Sequence, residues 1–283
     1  MEILPILKSA VIIMIPILFA AAGGLFPALA GILNIALEGL LLAGAFSSIA
    51  VFRFTGNIAL SVAAAVFAAT SLSAIHVFAS FKLRANIFIS GLAVNLFSTG
   101  LCTVLSSKLF NTRGVVAFQN DAKIPSYLAY WYLFFLIILL IITWLAVNKT
   151  PFGIRLRSCE KNSEALVSLG IDPKFYRIIA LFMSGVTCGV GGSFLSLNIG
   201  AFVPGISAGK GWIALVVIFL GGRKPLGILA AAFVFGIAEA FSNHAQGVLN
   251  MPADFILAFP YLCTFIVLVI ISAMLKIRHN FKI

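Results

Sequence analysis

Long apolar stretches follow one another along almost the whole sequence, and only short groups of charged or turn-forming residues separate them. A helix needs about 20 residues to cross the roughly 30 Å hydrocarbon core of a bilayer, and most of these stretches reach or approach that length. We expect about nine transmembrane segments, within a range of about eight to ten, and the seventh is too short for a simple span. The segments are residues 3–24, 28–52, 57–80, 86–107, 128–147, 177–199, 212–222, 226–242 and 254–275.

The composition leaves little polar surface with which to face water. Charged residues make up only 10% of the 283 residues and hydrophobic residues 62%, whereas a soluble domain carries about 25% charged residues. The outer surface of the folded chain must therefore face lipid. The sequence predicts an all-α fold, a polytopic membrane helical bundle, in which residues 1–283 form a single transmembrane domain.

The net charge of +11 is distributed in short basic groups between the apolar stretches, which is typical of residues that fix membrane topology. Nucleic-acid binding is therefore not expected. If the loop of residues 148–176 is cytoplasmic, alternation of the spans places most of the 19 Lys and Arg residues on the same side. The positive-inside rule then predicts an N-terminus outside and a C-terminus in the cytoplasm. Lys210 falls on the outer side in this topology.

Residues that commonly carry out chemistry are sparse. The four cysteines are far apart without a Cys-x-x-Cys spacing, and the three histidines have no metal-ligand spacing. We expect no disulfide framework, no metal site and no catalytic constellation, which argues against an enzyme. More membrane sequence follows the first apolar stretch directly, so we expect this stretch to be retained as a span rather than cleaved as a signal peptide.

The loop of residues 148–176 differs from the rest of the chain in being polar. Pro151 suits the first position of a helix, Gly170 would end that helix, and Pro173 prevents its return. We therefore expect one or two short amphipathic helices under the membrane, with a basic edge. The pattern alone allows either a positive loop that fixes topology or a docking element for a soluble partner. The basic edge consists of Arg155 and Arg157.

The sequence from Thr150 to Gly170 resembles the coupling loop of ABC importer permeases in the ribose/branched-chain amino acid permease group. In that family the loop reads approximately T-x-x-G-x-x-x-R-A-x-G-x-N-x-x-A-A-x-x-x-G-I. The chain departs from this pattern at Ser158, Glu160 and Leu166. The matching residues are Thr150, Gly153, Arg157, Asn162, Ala165, Gly170 and Ile171.

Further motifs of the same group follow in the family's order. Residues 184–192 are similar to the family's S-G-x-x-A-G-x-x-G sequence. Residues 202–223 resemble its Phe-x-Pro-Gly segment, which leads through Gly-x-Gly-Trp-x-Ala-Leu to Leu-Gly-Gly-Arg. Residues 29–39 look like the opening motif of the nucleoside-importing branch, the basic membrane protein-type importers.

The resemblance implies a division of labour among several chains. Importers of this group combine two membrane subunits with two soluble ATPases and an extracytoplasmic substrate-binding protein in the bacterial cytoplasmic (inner) membrane. The partner ATPase would bind ATP and Mg, and this chain would need no cofactor of its own. The second permease subunit is either another copy of this chain or a related permease. Residues 205–211 are one residue short of a Walker A loop and lack its hydroxyl, so we interpret them as an ordinary loop.

The substrate implied by residues 29–39 is a nucleoside, moved by alternating access that a separate ATPase drives. The same importer architecture for riboflavin, a sugar or a branched-chain amino acid stays open, because the binding protein supplies much of the selectivity. An ion-coupled secondary transporter would need intramembrane charges, and Glu38 is the one clearly buried acid that the sequence suggests. This second class is therefore less favoured.

The family resemblance implies that the cytoplasmic loop sits in a cleft of the ATPase and transmits its opening and closing to the spans. Polar contacts would come from its charged side chains and apolar anchoring from its leucines. The residues expected to couple to the ATPase are Gly153, Arg155, Arg157, Glu160, Asn162, Glu164, Leu166, Leu169 and Gly170.

Two polar residues, Asn34 and Glu38, lie one helical turn apart inside an apolar stretch. An ionisable residue there normally faces a cavity or a partner. These residues either line the substrate path or hold helices together by bonding backbone groups, and both interpretations remain open. Glu239 lies nearer the end of a span, where we expect it to be solvated. Further substrate-path candidates are Asn95, Phe97 and Trp212, because an aromatic solute can stack on aromatic side chains.

Two features concern packing and symmetry. Gly185, Gly189 and Gly192 are expected to allow close approach of helices. The Ile-Ala-Leu sequence at residues 35–37 recurs at residues 213–215, in a segment that runs in the opposite direction. This repetition predicts an inverted repeat.

Overall fold

The computed structural model describes residues 3–117 and 127–248, and most of them are helical. The helices are α1 (Ile3–Leu29), α2 (Leu37–Thr55), α3 (Ile58–Val77), α4 (Ile87–Phe110), α5 (Leu128–Lys149), α6 (Pro151–Lys161), α7 (Ser163–Ser168), α8 (Pro173–Ile199), α9 (Lys210–Leu220) and α10 (Pro225–Val248). A π-helical turn, Phe78–Lys82, continues α3. The two strands are β1 (Val116–Ala117) and β2 (Ala201–Phe202). The all-α helical bundle is confirmed.

Seven helices in the described ranges are long and apolar enough to cross a membrane: α1, α2, α3, α4, α5, α8 and α10. In hydrocarbon an α-helix satisfies its own backbone hydrogen-bonding groups, which is why long apolar stretches fold in this way. The 11-residue α9 corresponds to the predicted segment 212–222 and is short, as expected. The predicted segment 254–275 lies outside the described residues.

Two predicted segments begin at clearly different residues in the structure, and the first predicted segment, 3–24, continues to Leu29. The segment 28–52 is not one helix, because the non-helical residues 30–36 separate α1 from α2. The span expected from residue 177 begins earlier, at Pro173, after Asp172 has capped the helix. Proline suits a first helical position because the N–H group that it lacks would have no intrahelical partner there. Pro173 therefore starts the next helix instead of extending the non-helical loop.

Helices α1, α2 and α8 form the centre of the bundle and are mostly buried, whereas α3, α4 and α5 are mostly exposed, as surfaces that face lipid must be. Glycines let α8 approach its neighbours closely. A Cβ atom added at Gly189 would lie 2.5 Å from the Cα atom of Val66 on α3, and one added at Gly192 would lie 2.3 Å from the carbonyl oxygen of Leu41 on α2. The close packing predicted for these glycines is present.

The two ends of the bundle carry different structures. At one end β1 and β2 pair antiparallel, with Val116 opposite Phe202, and Arg53 at the end of α2 donates a hydrogen bond to β1. At the other end α6 and α7 form the loop between α5 and α8, and Arg223 after α9 contacts Glu160 of α6. We refer to these as the sheet end and the loop end.

Two non-helical segments interrupt the bundle and run in opposite directions. The first, residues 30–36, leads from the loop end into α2, which runs to the sheet end. The second, residues 203–209, leads from β2 into α9, which runs to the loop end. We call them the first and the second helix break. The repeated Ile-Ala-Leu sequence lies where α2 and α9 begin, so the breaks have the opposed arrangement that an inverted repeat requires.

Candidate functional site

The first helix break is stabilised by polar side chains that take over the role of missing helical hydrogen bonds. Asn34 is 1% exposed, and its Oδ1 atom accepts a hydrogen bond from the backbone N–H of Ala36 at 3.1 Å. Asn95 on α4 donates from Nδ2 to the carbonyl oxygen of Ile35 at 3.0 Å and accepts at Oδ1 from the N–H of Gly39 at 2.8 Å. Backbone groups inside a bilayer need such partners, because no water is available to them.

Glu38 joins the two helix breaks. Its Oε1 atom accepts a hydrogen bond from the backbone N–H of Gly209 at 2.9 Å, and its Oε2 atom accepts one from the N–H of Gly211 at 2.7 Å. The first N–H groups of a helix have no intrahelical partner and carry partial positive charge, so a carboxylate stabilises them. The bond to backbone groups, one of the two interpretations of this residue, is thus present in the structure.

Gly211 allows the first turns of α2 and α9 to touch. A Cβ atom at this position would lie 2.4 Å from the backbone nitrogen of Glu38, a distance that real Cβ atoms do not reach. Two helix N-termini with like partial charge therefore meet at one point, and the Glu38 carboxylate lies between them. This carboxylate offsets the repulsion that the geometry would otherwise create.

Lys210 and Glu239 form a second charged contact beside this junction. The Lys210 Nζ atom lies 2.8 Å from the Glu239 Oε1 atom, and the two side chains are 11% and 20% exposed. The sequence predicted that Glu239 is solvated near the end of a span. The structure instead pairs it with Lys210, because the first side chain of α9 reaches α10.

The two aromatic candidates lie on exposed surfaces. Phe97 is 52% exposed and Trp212, next to Gly211, is 42% exposed. Residues advance by about 100° around an α-helix, so Phe97 lies about 160° from Asn95 on α4. The structure therefore does not bring Phe97 and Asn95 to one face.

The face of α4 that carries Asn95 continues as a polar stripe that the sequence analysis missed. Thr99 and Thr103 follow at intervals of four residues, and both are exposed. Their hydroxyl groups donate to the carbonyl oxygens of Asn95 and Thr99 in their own helix, at 3.0 Å and 2.9 Å. Each hydroxyl oxygen can still accept a hydrogen bond from a solute. The spacing of four residues was the signal in the sequence that could have identified this stripe.

The loop between α5 and α8 has the two short helices that its sequence predicts. Asn162 caps α7 by accepting a hydrogen bond from the N–H of Ala165 at 3.1 Å, and Gly170 ends that turn with φ 73°. A Cβ atom at Gly153 would lie only 2.1 Å from the carbonyl oxygen of Val147, so α6 packs directly against the end of α5. Gly153 and Gly170 thus set the shape of the loop.

Several of the expected coupling side chains contact this chain itself. Leu166 is 4% exposed and packs in the core. Arg155 donates from Nη1 to the Tyr176 hydroxyl oxygen at 2.9 Å, and Glu160 pairs with Arg223. Of the coupling candidates only Gly153 and Leu166 are buried; Arg157 is half-buried, and the others are exposed: Arg155, Glu160, Asn162, Glu164, Leu169 and Gly170. Leu169 is 73% exposed, and the sequence analysis missed two further exposed apolar side chains, Ile154 (60%) and Val167 (63%).

Two arginines connect α6 to the end of α1. Arg177 donates from Nε to the carbonyl oxygen of Ala30 at 3.2 Å and from Nη2 to that of Cys159 at 3.0 Å. Arg223 donates from Nη1 to the carbonyl oxygen of Ala28 at 3.4 Å. The last carbonyl groups of a helix lack intrahelical partners, and basic side chains satisfy them. The loop end of α1, where the first helix break starts, is therefore bonded to both arginines.

Comparison with known proteins decides what kind of protein carries this site. A family model described as branched-chain amino acid transport system / permease component matches residues 6–273. The chain belongs to this permease family. Among solved structures, PsaBC from Streptococcus pneumoniae in complex with Fab is similar to the permease with a TM-score of 0.52, over 93% of this chain and 90% of that chain. At 16% identity this likeness shows the fold alone.

Two similar proteins bear names that specify a transported solute. The nucleoside ABC transporter permease protein NupC of Lactococcus lactis subsp. cremoris (strain MG1363) is 30% identical, over 93% of this chain and 90% of that protein. The guanosine ABC transporter permease protein NupQ of Bacillus subtilis (strain 168) is also 30% identical, over 94% of this chain and 92% of that protein. The permease is a multi-pass membrane protein, as its family and its apolar helices require.

Proposed function

We propose that the chain is the membrane permease subunit of an ATP-binding-cassette importer for nucleosides. One structural observation carries the coupling part of this proposal: the α6–α7 loop presents exposed apolar and charged side chains and is bonded to the end of α1 through Arg177 and Arg223. A partner that moves α6 would therefore act directly on the first helix break. The similarity to NupC and NupQ supports the nucleoside assignment.

The ATPase would dock on the exposed part of the α6–α7 loop. Val167 and Leu169 supply apolar contact there, and Arg157 and Glu164 supply charges of both signs at its rim. ATP and Mg would be bound by that partner. The loop end is then cytoplasmic and the sheet end outside, where an extracytoplasmic binding protein would deliver the solute, and the N-terminus lies outside.

The polar face of α4 is our candidate for the wall of the substrate path. Thr99 and Thr103 are exposed uncharged groups, and Asn95 on the same face is half-buried. A path along this face needs a second wall, which a second permease subunit would provide. Uncharged hydroxyl and amide groups suit a nucleoside, since its sugar hydroxyls and base edges exchange hydrogen bonds with them.

The docking surface can be tested with two matched substitutions at the loop end. Leu169→Asp places a charge on the proposed surface, whereas Leu83→Asp does so at a similarly exposed leucine, 65% against 73%, in the neighbouring α3–α4 turn. The chain is expressed together with the products of its neighbouring genes, and copurification of an ATPase is measured. We expect Leu169→Asp to lose the ATPase and Leu83→Asp to retain it. Retention by both would contradict the docking surface.

The substrate is tested with the reconstituted importer and its binding protein in proteoliposomes. We expect ATP-dependent uptake of radiolabelled nucleosides, with competition from other nucleosides and none from riboflavin, ribose or leucine. Uptake that competes with one of those solutes instead would assign the same importer architecture to that class. Uptake without an ATPase, on an ion gradient alone, would refute the importer and identify a secondary transporter.

A further inference from the structure

Three consecutive residues at the start of α9 are held by two carboxylates from two different helices. Glu38 on α2 binds the backbone N–H groups of Gly209 and Gly211. Glu239 on α10 binds the side chain of Lys210, the residue between them. We refer to Glu38, Lys210 and Glu239 with these contacts as the α9 clamp.

The sequence of α9 makes both carboxylates necessary. A lysine in the first turn of a helix places positive charge beside the positive end of the helix dipole, which is unfavourable. Lys210 is also 8% exposed, and a buried ammonium group needs a paired charge. Glu239 supplies that charge, while Glu38 satisfies the backbone N–H groups on either side. The first turn of α9 is thus fixed to α2 and to α10 through separate contacts.

The two halves of the clamp differ in how easily they can separate. On the α2 side the backbones themselves touch, since a Cβ atom at Gly211 would lie 2.4 Å from the Glu38 nitrogen. The backbones of α9 and α10 touch near the opposite end of α9, at Gly221 and Gly227. At the first turn of α9 the contact with α10 consists of two long side chains, and the Glu239 side chain is 20% exposed. Water can therefore reach the Glu239 carboxylate, and separation of the pair does not require a change in the fit between α2 and α9. The buried position of Lys210 makes this separation costly.

We infer that the Lys210–Glu239 pair is a releasable latch that holds the second helix break in place and opens during the transport cycle. The second break connects the sheet end to α9. The position of this break therefore controls whether the sheet end moves when α9 is displaced at the loop end. Glu239 is in this view a positioning residue that need not touch the solute. The inference rests on the proposed function, because a transport cycle is what would open the latch.

The first test measures backbone hydrogen exchange of residues 203–211 in the assembled importer. Glu239→Gln keeps one oxygen acceptor for Lys210 but removes the negative charge. Exchange in residues 203–211 should speed up roughly tenfold, since a charge-assisted hydrogen bond is about twice as strong as a neutral one and its weakening shifts the local opening equilibrium. Exchange in residues 184–192 of α8 should not change. ATP hydrolysis should be retained while nucleoside uptake falls. Unchanged exchange in residues 203–211, or equal acceleration in α8, would overturn the latch.

A second variant separates a latch from a purely structural ion pair. Replacing both partners, Lys210→Met with Glu239→Leu, removes both charges and leaves apolar contact, which is often no less stable than a buried ion pair. We expect slow hydrogen exchange to return in residues 203–211 while nucleoside uptake stays low. The reason is that water can solvate the groups of a separated ion pair but not those of a separated apolar contact. Recovery of uptake together with slow exchange would show that the pair only stabilises the fold. If no ATPase joins the complex, the proposed function fails, but the exchange measurement still reports on the clamp.

Discussion

Replacement of Glu38 by Gln tests the junction between α2 and α9 most directly. The carboxylate accepts two backbone hydrogen bonds, from Gly209 at 2.9 Å and from Gly211 at 2.7 Å. A Gln side chain has one oxygen acceptor, and its amide nitrogen would direct a donor toward the second N–H group. We therefore expect one of the two hydrogen bonds to be lost, and the N-terminus of α9 loses the negative charge that offsets its dipole.

The structure allows the size of this effect to be worked out. A hydrogen bond to a charged group contributes about 1.5–3 kcal/mol, and a charge at a helix terminus contributes about 0.3–1 kcal/mol. The free energy of unfolding should therefore fall by roughly 2–4 kcal/mol. A loss of this size lowers the unfolding midpoint of a chain of this length by roughly 3–7 °C.

The assay is thermal unfolding of the purified permease subunit in detergent, without its ATPase, followed by intrinsic tryptophan fluorescence. Several heating rates are needed, because membrane proteins in detergent commonly unfold irreversibly. Glu164→Gln is the matched control, since Glu164 is exposed on α7, and its midpoint should match that of the unmodified protein. Equal midpoints for the Glu38 and Glu164 variants would refute the reasoning that the carboxylate holds α9.

Three further predictions concern other parts of the chain. Thr99→Val should lower nucleoside uptake by the reconstituted importer several-fold, whereas Phe97→Ala should not; equal uptake by both variants would remove the polar face of α4 from the substrate path. Gly211→Ala should reduce the yield of folded protein in size-exclusion chromatography, because its Cβ atom would lie 2.4 Å from a backbone nitrogen of α2. Gly100→Ala should leave the yield unchanged, because no atom lies within 4 Å of the added Cβ atom. Burial raises the pKa of the Cys159 thiol, so less thiolate forms at a given pH. Maleimide labelling of Cys159 at neutral pH should therefore be slower than that of a free cysteine. Labelling at the rate of a free cysteine would contradict the buried position.

The spans could be predicted from the sequence because a bilayer imposes both length and apolarity on each helix. The first helix break was not located, because residues 30–36 are mostly as apolar as the helices on either side. Two residues in it did carry a signal: Gly31 adopts φ 78°, which favours glycine, and the Asn34 side chain accepts a hydrogen bond from the N–H of Ala36, directly before α2. A glycine and an asparagine within four residues of an otherwise apolar stretch indicate an interruption.

The partners of the charged residues could not be predicted in this way. Lys210 and Glu239 are 29 positions apart, and Glu38 and Gly209 are 171 positions apart. Only the packing of α9 between α2 and α10 brings these groups together. The position of Phe97, in contrast, could have been predicted, because an advance of about 100° per residue already places it away from Asn95 on any helix.

The described contacts connect the α6–α7 loop to the polar face of α4 without interruption. Glu160 of α6 pairs with Arg223, which directly follows α9. At its other end α9 is held by Glu38 of α2, and the next residue, Gly39, donates its N–H to Asn95 of α4. Since α9 is one short helix, a displacement at its loop end is carried to its N-terminus as a rigid movement and cannot be absorbed within it. A partner that shifts α6 would therefore act on α2 and, through Asn95, on the face proposed for the solute. These contacts form the route that we propose for coupling between an ATPase and the substrate path, and loss of any one of them should interrupt it.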